Sequence, residues 1–314
     1  MNIGIDMMGG DFAPLEAVKG LQTFLSATSS QAKIFCFGNE SELKALLNEH
    51  SLTSPNVITV HAPQVIEMHE HPTKALKEKQ QSSIAAGFYM LADGKIDAFI
   101  SAGNTGAMLV GALYSIKTIE GVQRPAIATI IPKLNGRDGL LLDVGLNSDC
   151  KPENLNHFAV LGSLYAKSIL GIYDPKVGLL NVGEEEGKGN ILTQAAYPLL
   201  KVNERIHFIG NVEGRDIFTD KADVIVCEGF TGNILLKMAE SMYDIGVKRN
   251  LHEDEFISRL HYQNYGGTPV LGVSKPVIIG HGISNATAFY NMIALAQKMI
   301  ESDVCAEMIK SFKA

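Results

Sequence analysis

Ile100-Ser101-Ala102-Gly103-Asn104-Thr105-Gly106 closes an apolar run and opens a helical one. Ala98-Phe99-Ile100 reads as the end of a buried strand, and Ala107 to Ile116 follows a helical pattern. Gly103 and Gly106 let the chain turn tightly between the two and present its amides. Such a turn is suited to an anion, because the first N–H groups of a helix have no internal partner and its dipole is positive there. Ser101, Asn104 and Thr105 add hydroxyl and amide groups to that turn. They read equally well as an ordinary Ser/Asn/Thr helix cap, and the stretch alone leaves both readings open.

Working outward, strand-like runs at Ile3 to Asp6, Lys33 to Phe37 and Val57 to Val60 alternate with helical segments at Pro14 to Ser26, Asn39 to Glu49 and Gln81 to Ala92. Pro14 is placed for a first helical position, with Asp11 as a nearby cap. Ala126 to Ile131 and Leu140 to Val144 flank Asn135-Gly136-Arg137-Asp138-Gly139, which predicts a hairpin. Glu153 to Leu170 predicts a long helix. Strands at Val177 to Val182, Ile206 to Ile209, Val224 to Cys227 and Val277 to Ile279 then resume the alternation, and a last helix starts near Ser284. The βα alternation predicts an α/β fold with a mostly parallel sheet flanked by helices. No linker or charge run cuts the 314 residues. The chain therefore reads as one α/β chain, divisible at most into two subdomains sharing a continuous sheet, with a soft boundary near 120–150.

With 46% hydrophobic and 19% charged residues the chain can build a sizeable core, and its net charge of -7 argues against a general nucleic-acid binder. Cys36, Cys150, Cys227 and Cys305 stand far apart and form no C-x-x-C pair, which suits a reducing cytoplasm. The chain opens on a strand rather than a signal-peptide pattern, and no apolar run is long enough to span a bilayer.

Three more junctions repeat the grammar of the opening stretch: Asp6 to Asp11 with Gly9 and Gly10, Cys227 to Asn233, and Gly280-His281-Gly282-Ile283-Ser284-Asn285. In a parallel sheet the carboxyl ends of the strands face one crevice, so the four turns are expected to converge. A fifth stretch, Gly183-Glu184-Glu185-Glu186-Gly187-Lys188-Gly189, falls one residue short of Walker spacing and puts glycine where Ser or Thr should meet Mg²⁺. Lys188 is better read as a mobile cation, or as a solvated loop lysine. Neither a G-x-G-x-x-G fingerprint nor a G-x-S-x-G elbow is present. Asp6 and Asp11 read as metal ligands or as caps, His69 and His71 as a surface loop, and Lys74, Lys77 and Lys79 as an anion patch or a solvated helix face.

Taken in order, these motifs resemble the PlsX family, the phosphate acyltransferases of bacterial phospholipid synthesis. The matching stretches are Asp6 to Asp11, Ser101 to Ala107, Arg124 to Ala126, Leu142 to Gly145, Leu179 to Glu185, Lys188-Gly189, Phe208 to Gly214, Gly229 to Asn233 and Gly266 to Pro269. The resemblance implies a fold similar to the phosphotransacetylases and the isocitrate/isopropylmalate dehydrogenases, usually as a homodimer. It implies transfer of an acyl group from acyl-[acyl carrier protein] to inorganic phosphate, without a cofactor. The chain departs from the family at Leu146 for alanine, Glu228 for aspartate, Lys77 for arginine and Ile84 for methionine. It is also shorter over 237–266, a segment associated in the family with dimer contacts and a weak membrane-surface contact. Residues 251–262 still read as one short amphipathic or interface helix.

Phosphate is itself the nucleophile of such a reaction, which agrees with the missing nucleophile motifs. The site residues expected on this reading are Ser101, Gly103, Asn104, Thr105, Gly106 and Ser284 around phosphate, with Lys188 as cation. Asn233 and His281 act as donors, and Asp6, Gly9, Gly10, Asp11 and Asn147 form the surrounding turns, with no metal. The rival readings are a metal-dependent NAD(P) dehydrogenase using Asp6, Asp11 or Asp143, and a non-catalytic binder of phosphate ligands.

Overall fold

The structure, a computed structural model, describes residues 1–28 and 30–313. The elements alternate from β1 (Asn2–Asp6), α1 (Leu15–Ala27), β2 (Lys33–Gly38), α2 (Glu40–Glu49) and β3 (Val57–His61) to α3 (Pro72–Glu78), α4 (Ser83–Ala92), β4 (Ala98–Ser101) and α5 (Thr105–Gly111), which continues as a π-helical turn over Ala112–Ile116. They go on through β5 (Ala126–Pro132), β6 (Asp138–Leu142), α6 (Pro152–Ser168), β7 (Lys176–Asn181), α7 (Ile191–Lys201), β8 (His207–Glu213), β9 (Val224–Val226), α8 (Gly229–Lys248) and α9 (Glu255–Arg259). The chain closes with β10 (Gly267–Leu271), β11 (Val277–Gly280), α10 (Ala286–Glu301) and α11 (Val304–Lys313).

Two compact units result. The first takes Met1–Thr118 and Gln263–Cys305, and the second takes Ile119–Tyr262 with the stretch from Ala306. Within the first, the strand order is β3-β2-β1-β4-β11-β10, parallel except for β10 against β11. Within the second it is β5-β6-β9-β7-β8, parallel except for the β5–β6 hairpin. The mostly parallel α/β fold expected from the alternation is thus the one observed. Strands β4, β9 and β11 are buried at every position, as parallel strands covered on both faces must be.

Local chemistry sets most boundaries. Asn39 caps α2 by accepting from the Ser41 amide at 3.2 Å, and Ser82 caps α4 by accepting from Ala85 at 3.2 Å. Pro14 lies one position earlier than the sequence reading put it, at the N-cap of α1, where no side chain caps. Its carbonyl already accepts the Val18 amide at 3.1 Å, and Asp11 gives its own amide to Gly282 O at 2.7 Å. Helix α3 starts on Pro72, directly after the loop read at His69 and His71, and carries Lys74 and Lys77 on the helix face that was one of their two readings; Lys79 at its end pairs with Glu70 at 2.6 Å rather than offering an anion site. One element was not anticipated. Strand β10 hides in Gly267-Thr268-Pro269, a turn-like composition.

Residues 251–262 form only the five-residue α9, capped by Asp254. Its apolar side chains face protein: Phe256 stacks edge-on against Phe218 at 5.3 Å between centroids, and Leu260 is buried. Among the described residues no helix is long and apolar enough to cross a membrane.

The β5–β6 hairpin carries a buried cation. Lys133 is 3% exposed and donates to Ile217 O at 2.7 Å. Burial pushes its ammonium down to about 8, with Asp223 partly opposing that shift. An unfolded lysine titrates near 10.5, so between the two values the unfolded chain binds more protons and stability rises with pH. From about pH 7.5 to about pH 9.5 the wild type should gain about 2 kcal/mol of unfolding free energy relative to Lys133→Met. Urea titrations at the two pH values check this, and parallel behaviour of the two proteins contradicts it.

Candidate active site

In the first unit three turns meet at the carboxyl ends of β1, β4 and β11. Gly9 shows how closely: a Cβ there would lie 2.4 Å from Asp6 Oδ2 and 2.6 Å from the Gly103 amide. Only a residue without a side chain allows that approach. The turn after β11 joins through the Asp11 amide on Gly282 O.

Asp6 organises the first two turns from a fully buried position. Its Oδ2 accepts Ser101 Oγ–H at 2.6 Å, and its Oδ1 accepts the Met8 amide at 3.0 Å. Burial raises its pKa, opposed by the hydrogen bonds from Ser101, Ser83 and the Met8 and Gly9 amides. Ser101 Oγ in turn accepts the Gly103 amide at 2.9 Å.

Asn104 does structural work with every side-chain atom it has. Its Nδ2 donates to the carbonyls of Glu67 at 2.9 Å, Met68 at 3.3 Å and Glu70 at 3.1 Å, while Oδ1 caps the helix on the Ala107 amide at 2.9 Å. Ser284 is likewise committed, donating to His281 O at 2.6 Å. What this unit presents outward is therefore the exposed Thr105, the half-buried Gly106 in the first turn of α5, and the exposed Asp11 and His281.

The second unit holds the remaining turn, Cys227 to Asn233, and the lysine stretch. Asp143, fully buried after β6, accepts four hydrogen bonds: Oδ1 from the amides of Ile127 at 3.0 Å and Leu146 at 3.2 Å, Oδ2 from the amide of Asn147 at 2.6 Å and its Nδ2 at 2.8 Å. Asn147 passes the connection on, its carbonyl accepting the Gly229 amide at 2.7 Å as α8 begins. Glu228, the family's aspartate position, caps α8 through the Thr231 amide at 3.1 Å and the Thr231 hydroxyl. Asn233 donates to Val144 O at 3.2 Å.

Lys188 is half-exposed, 3.9 Å from Glu185. Its main chain is firmly held. Asn181 donates to Lys188 O at 3.0 Å, Gln194 to the carbonyls of Gly187 and Gly189 at 3.0 Å each, and Asn211 to Glu185 O at 2.8 Å. Any mobility of this cation belongs to its side chain rather than to the loop. Asn181, Gln194 and Asn211 were not singled out in the sequence, because they stand at distances of up to 26 residues from what they hold.

Two chemistries find little to use here. Burial pushes all four thiols up, Cys36, Cys150 and Cys305 to about 12 and Cys227 well above its ordinary value, so none is a ready thiolate. The oxygens of Asp6 and Asp143 are taken up by protein donors rather than left for a cation. Among the described residues one acidic trio, Glu184, Glu213 and Asp216, comes within 4.8 Å. Lys221 neutralises it, at 2.6 Å from Glu184 and 2.8 Å from Asp216, together with Arg215 on Glu213.

Comparison with known proteins adds the following. The profile of the family described as "Fatty acid synthesis protein" matches residues 1–258 and 245–307. A phosphate acyltransferase from Dictyoglomus turgidum is 42% identical over 328 aligned residues, covering 99% of this chain and 97% of that one. Among solved structures, a phosphotransacetylase from Streptococcus pyogenes superposes with a TM-score of 0.65 at 18% identity, covering 96% of this chain and 94% of that one. A 4-hydroxythreonine-4-phosphate dehydrogenase from Klebsiella pneumoniae does so at 0.54 and 13% identity, covering 95% and 97%. These last two likenesses concern the fold.

Proposed function

The chain belongs to the fatty acid synthesis protein family and is an acyltransferase to phosphate, and from that premise we propose that it takes its acyl group from acyl-[acyl carrier protein] by direct attack of phosphate. A phosphate oxygen bonds to the thioester carbon, giving a tetrahedral oxyanion. The C–S bond then breaks, releasing acyl phosphate and the carrier thiolate, which takes up a proton. The observation that carries direct attack is the state of the cysteines: all four are buried enough to hold their thiols protonated.

In this reading the stretch Ser101 to Gly106 holds phosphate through Thr105 and the first helical amides. Asp6, Ser101 and Asn104 keep that turn in shape rather than touching the ligand. In the second unit Lys188 is proposed as a cation for anionic substrate groups and Asn233 as a donor, and in the first unit His281 is proposed as a donor. Removing one such charge typically costs about 100-fold in rate. Lys188→Ala should therefore lower kcat/KM for acyl phosphate formation by about that factor, with a raised KM for phosphate, while Asn104→Ala should lose activity together with thermal stability. Unchanged kcat/KM in both variants removes the site assignment. An acyl-enzyme caught by rapid quenching removes direct attack.

The fine reading includes a homodimer. Phe230, Ile234, Met238 and Ile245 are each more than half exposed and lie within about an 80° arc of α8. Such a stripe on a surface helix fits a second copy of the chain. A monomer mass by light scattering across micromolar concentrations argues against it.

A further inference from the structure

A cavity of about 330 Å³ opens in the second unit at the carboxyl ends of β7 and β9. Leu155 of α6, Leu180 and Val182 at the end of β7, Leu192 of α7, Cys227 after β9 and Leu235 of α8 supply its apolar lining. The polar groups on its wall are already engaged. Asn181 accepts the Val182 amide at 2.9 Å and holds Lys188 O, Asn190 caps α7 on the Thr193 amide at 2.9 Å, and Glu228 caps α8. A polar ligand would find few free partners there, whereas an aliphatic one would displace water from carbon.

Two further observations mark this cavity as a site rather than a packing defect. Val182 in its lining is 80% exposed, an aliphatic group left in water at the cavity. Gly189 and Asn190 on its wall directly follow Lys188, so the opening lies beside the proposed catalytic cation. The volume falls at the lower end of ligand cavities, which run from about 300 to 1,000 Å³, and far exceeds what an acetyl group needs.

We propose that this cavity is the acyl-chain subsite, taking the aliphatic tail of a medium-to-long acyl donor with its thioester end toward Lys188. Chain length is then set by how far the tail penetrates between Leu192 of α7 and Leu155 and Leu235. The inference rests on the acyltransferase reading for its choice of ligand, and its test separates the two.

Acyl phosphate formation is measured with hexanoyl- and hexadecanoyl-[acyl carrier protein], and the ratio of kcat/KM for long over short is the readout. Leu192→Trp fills the cavity and should lower that ratio about 100-fold, the worth of about four buried methylenes. Leu192→Ala enlarges the cavity and should raise it. Fluorescence of cis-parinaric acid reads binding directly: saturable with the wild type, and weakened at least about tenfold in Leu192→Trp. A ratio within about twofold of wild type in both variants overturns the subsite, as does absence of saturable parinaric acid binding by the wild type. Saturable binding that Leu192→Trp weakens, in a protein that makes no acyl phosphate from any carrier-protein thioester, keeps the subsite and removes the donor reading.

Discussion

Gly232→Ala is expected to prevent the second unit from reaching its native state. The added Cβ would sit 1.8 Å from Asp143 O, a main-chain atom with no rotamer to change. Asp143 cannot retreat, because its amide bonds Cys227 O at 3.0 Å while its carboxylate takes four donors. Nor can α8 slide away without breaking the Gly229 amide's bond to Asn147 O. A clash with two pinned partners lies beyond ordinary overpacking, which costs about 1–3 kcal/mol, and a loss above about 4 kcal/mol is expected. Gly214→Ala is the control for glycine loss, since a Cβ there meets nothing within 4 Å. Urea unfolding of both variants reads the result. Equal stability of the two would mean that the Asp143–Gly232 contact is not as close as described.

Asp143→Asn should be nearly as severe although it preserves shape. Each carboxylate oxygen accepts two hydrogen bonds, so whichever way the amide is set its NH₂ group faces two donors. Buried donors left without an acceptor cost about 1–3 kcal/mol each, and a total of about 3–5 kcal/mol is expected. The conservative substitution therefore fails for an electronic reason. Thermal and urea unfolding measure it, and wild-type stability would show that water or a rearranged loop replaces the lost acceptors.

The parts of the fold that were legible in the sequence are those where one stretch carries its own signal. Val277 to Ile279 and Ala98 to Ile100 are unbroken apolar runs, whereas Asn39 and Ser82, read as helical, stand one residue before the helices they cap. Strand β10 was illegible because Gly267-Thr268-Pro269 becomes a strand only through its pairing with Ile278 to Gly280. The same distinction runs through the site. The turn at Ser101 to Gly106 announced itself, and its capping reading is the one observed: Asn104 caps α5 on the Ala107 amide and Ser101 braces the turn. What braces it could not be read, since Asn104 finds its acceptors 34 to 37 residues upstream. Asp143 was noticed as a rival metal ligand and within the Leu142 to Gly145 stretch, and one of its four donors, the Ile127 amide, comes from the neighbouring strand. The acyltransferase activity came from the ordered set of motifs rather than from any single turn.

The return of Gln263–Cys305 to the first unit has a consequence for the order in which a ribosome can complete the two units. All five strands of the second unit lie between Ala126 and Val226, so they emerge in one continuous passage. The first unit must wait: β4 receives its β11 neighbour, Val277 beside Phe99, only after nearly nine-tenths of the chain has been made. Until then β4, paired with β1 on one side, leaves its other edge open on a strand whose every residue is destined for the interior, the kind of edge that recruits wrong partners. Vectorial synthesis thus completes the sheet of the lysine-bearing unit before the sheet that carries the Ser101 to Gly106 turn.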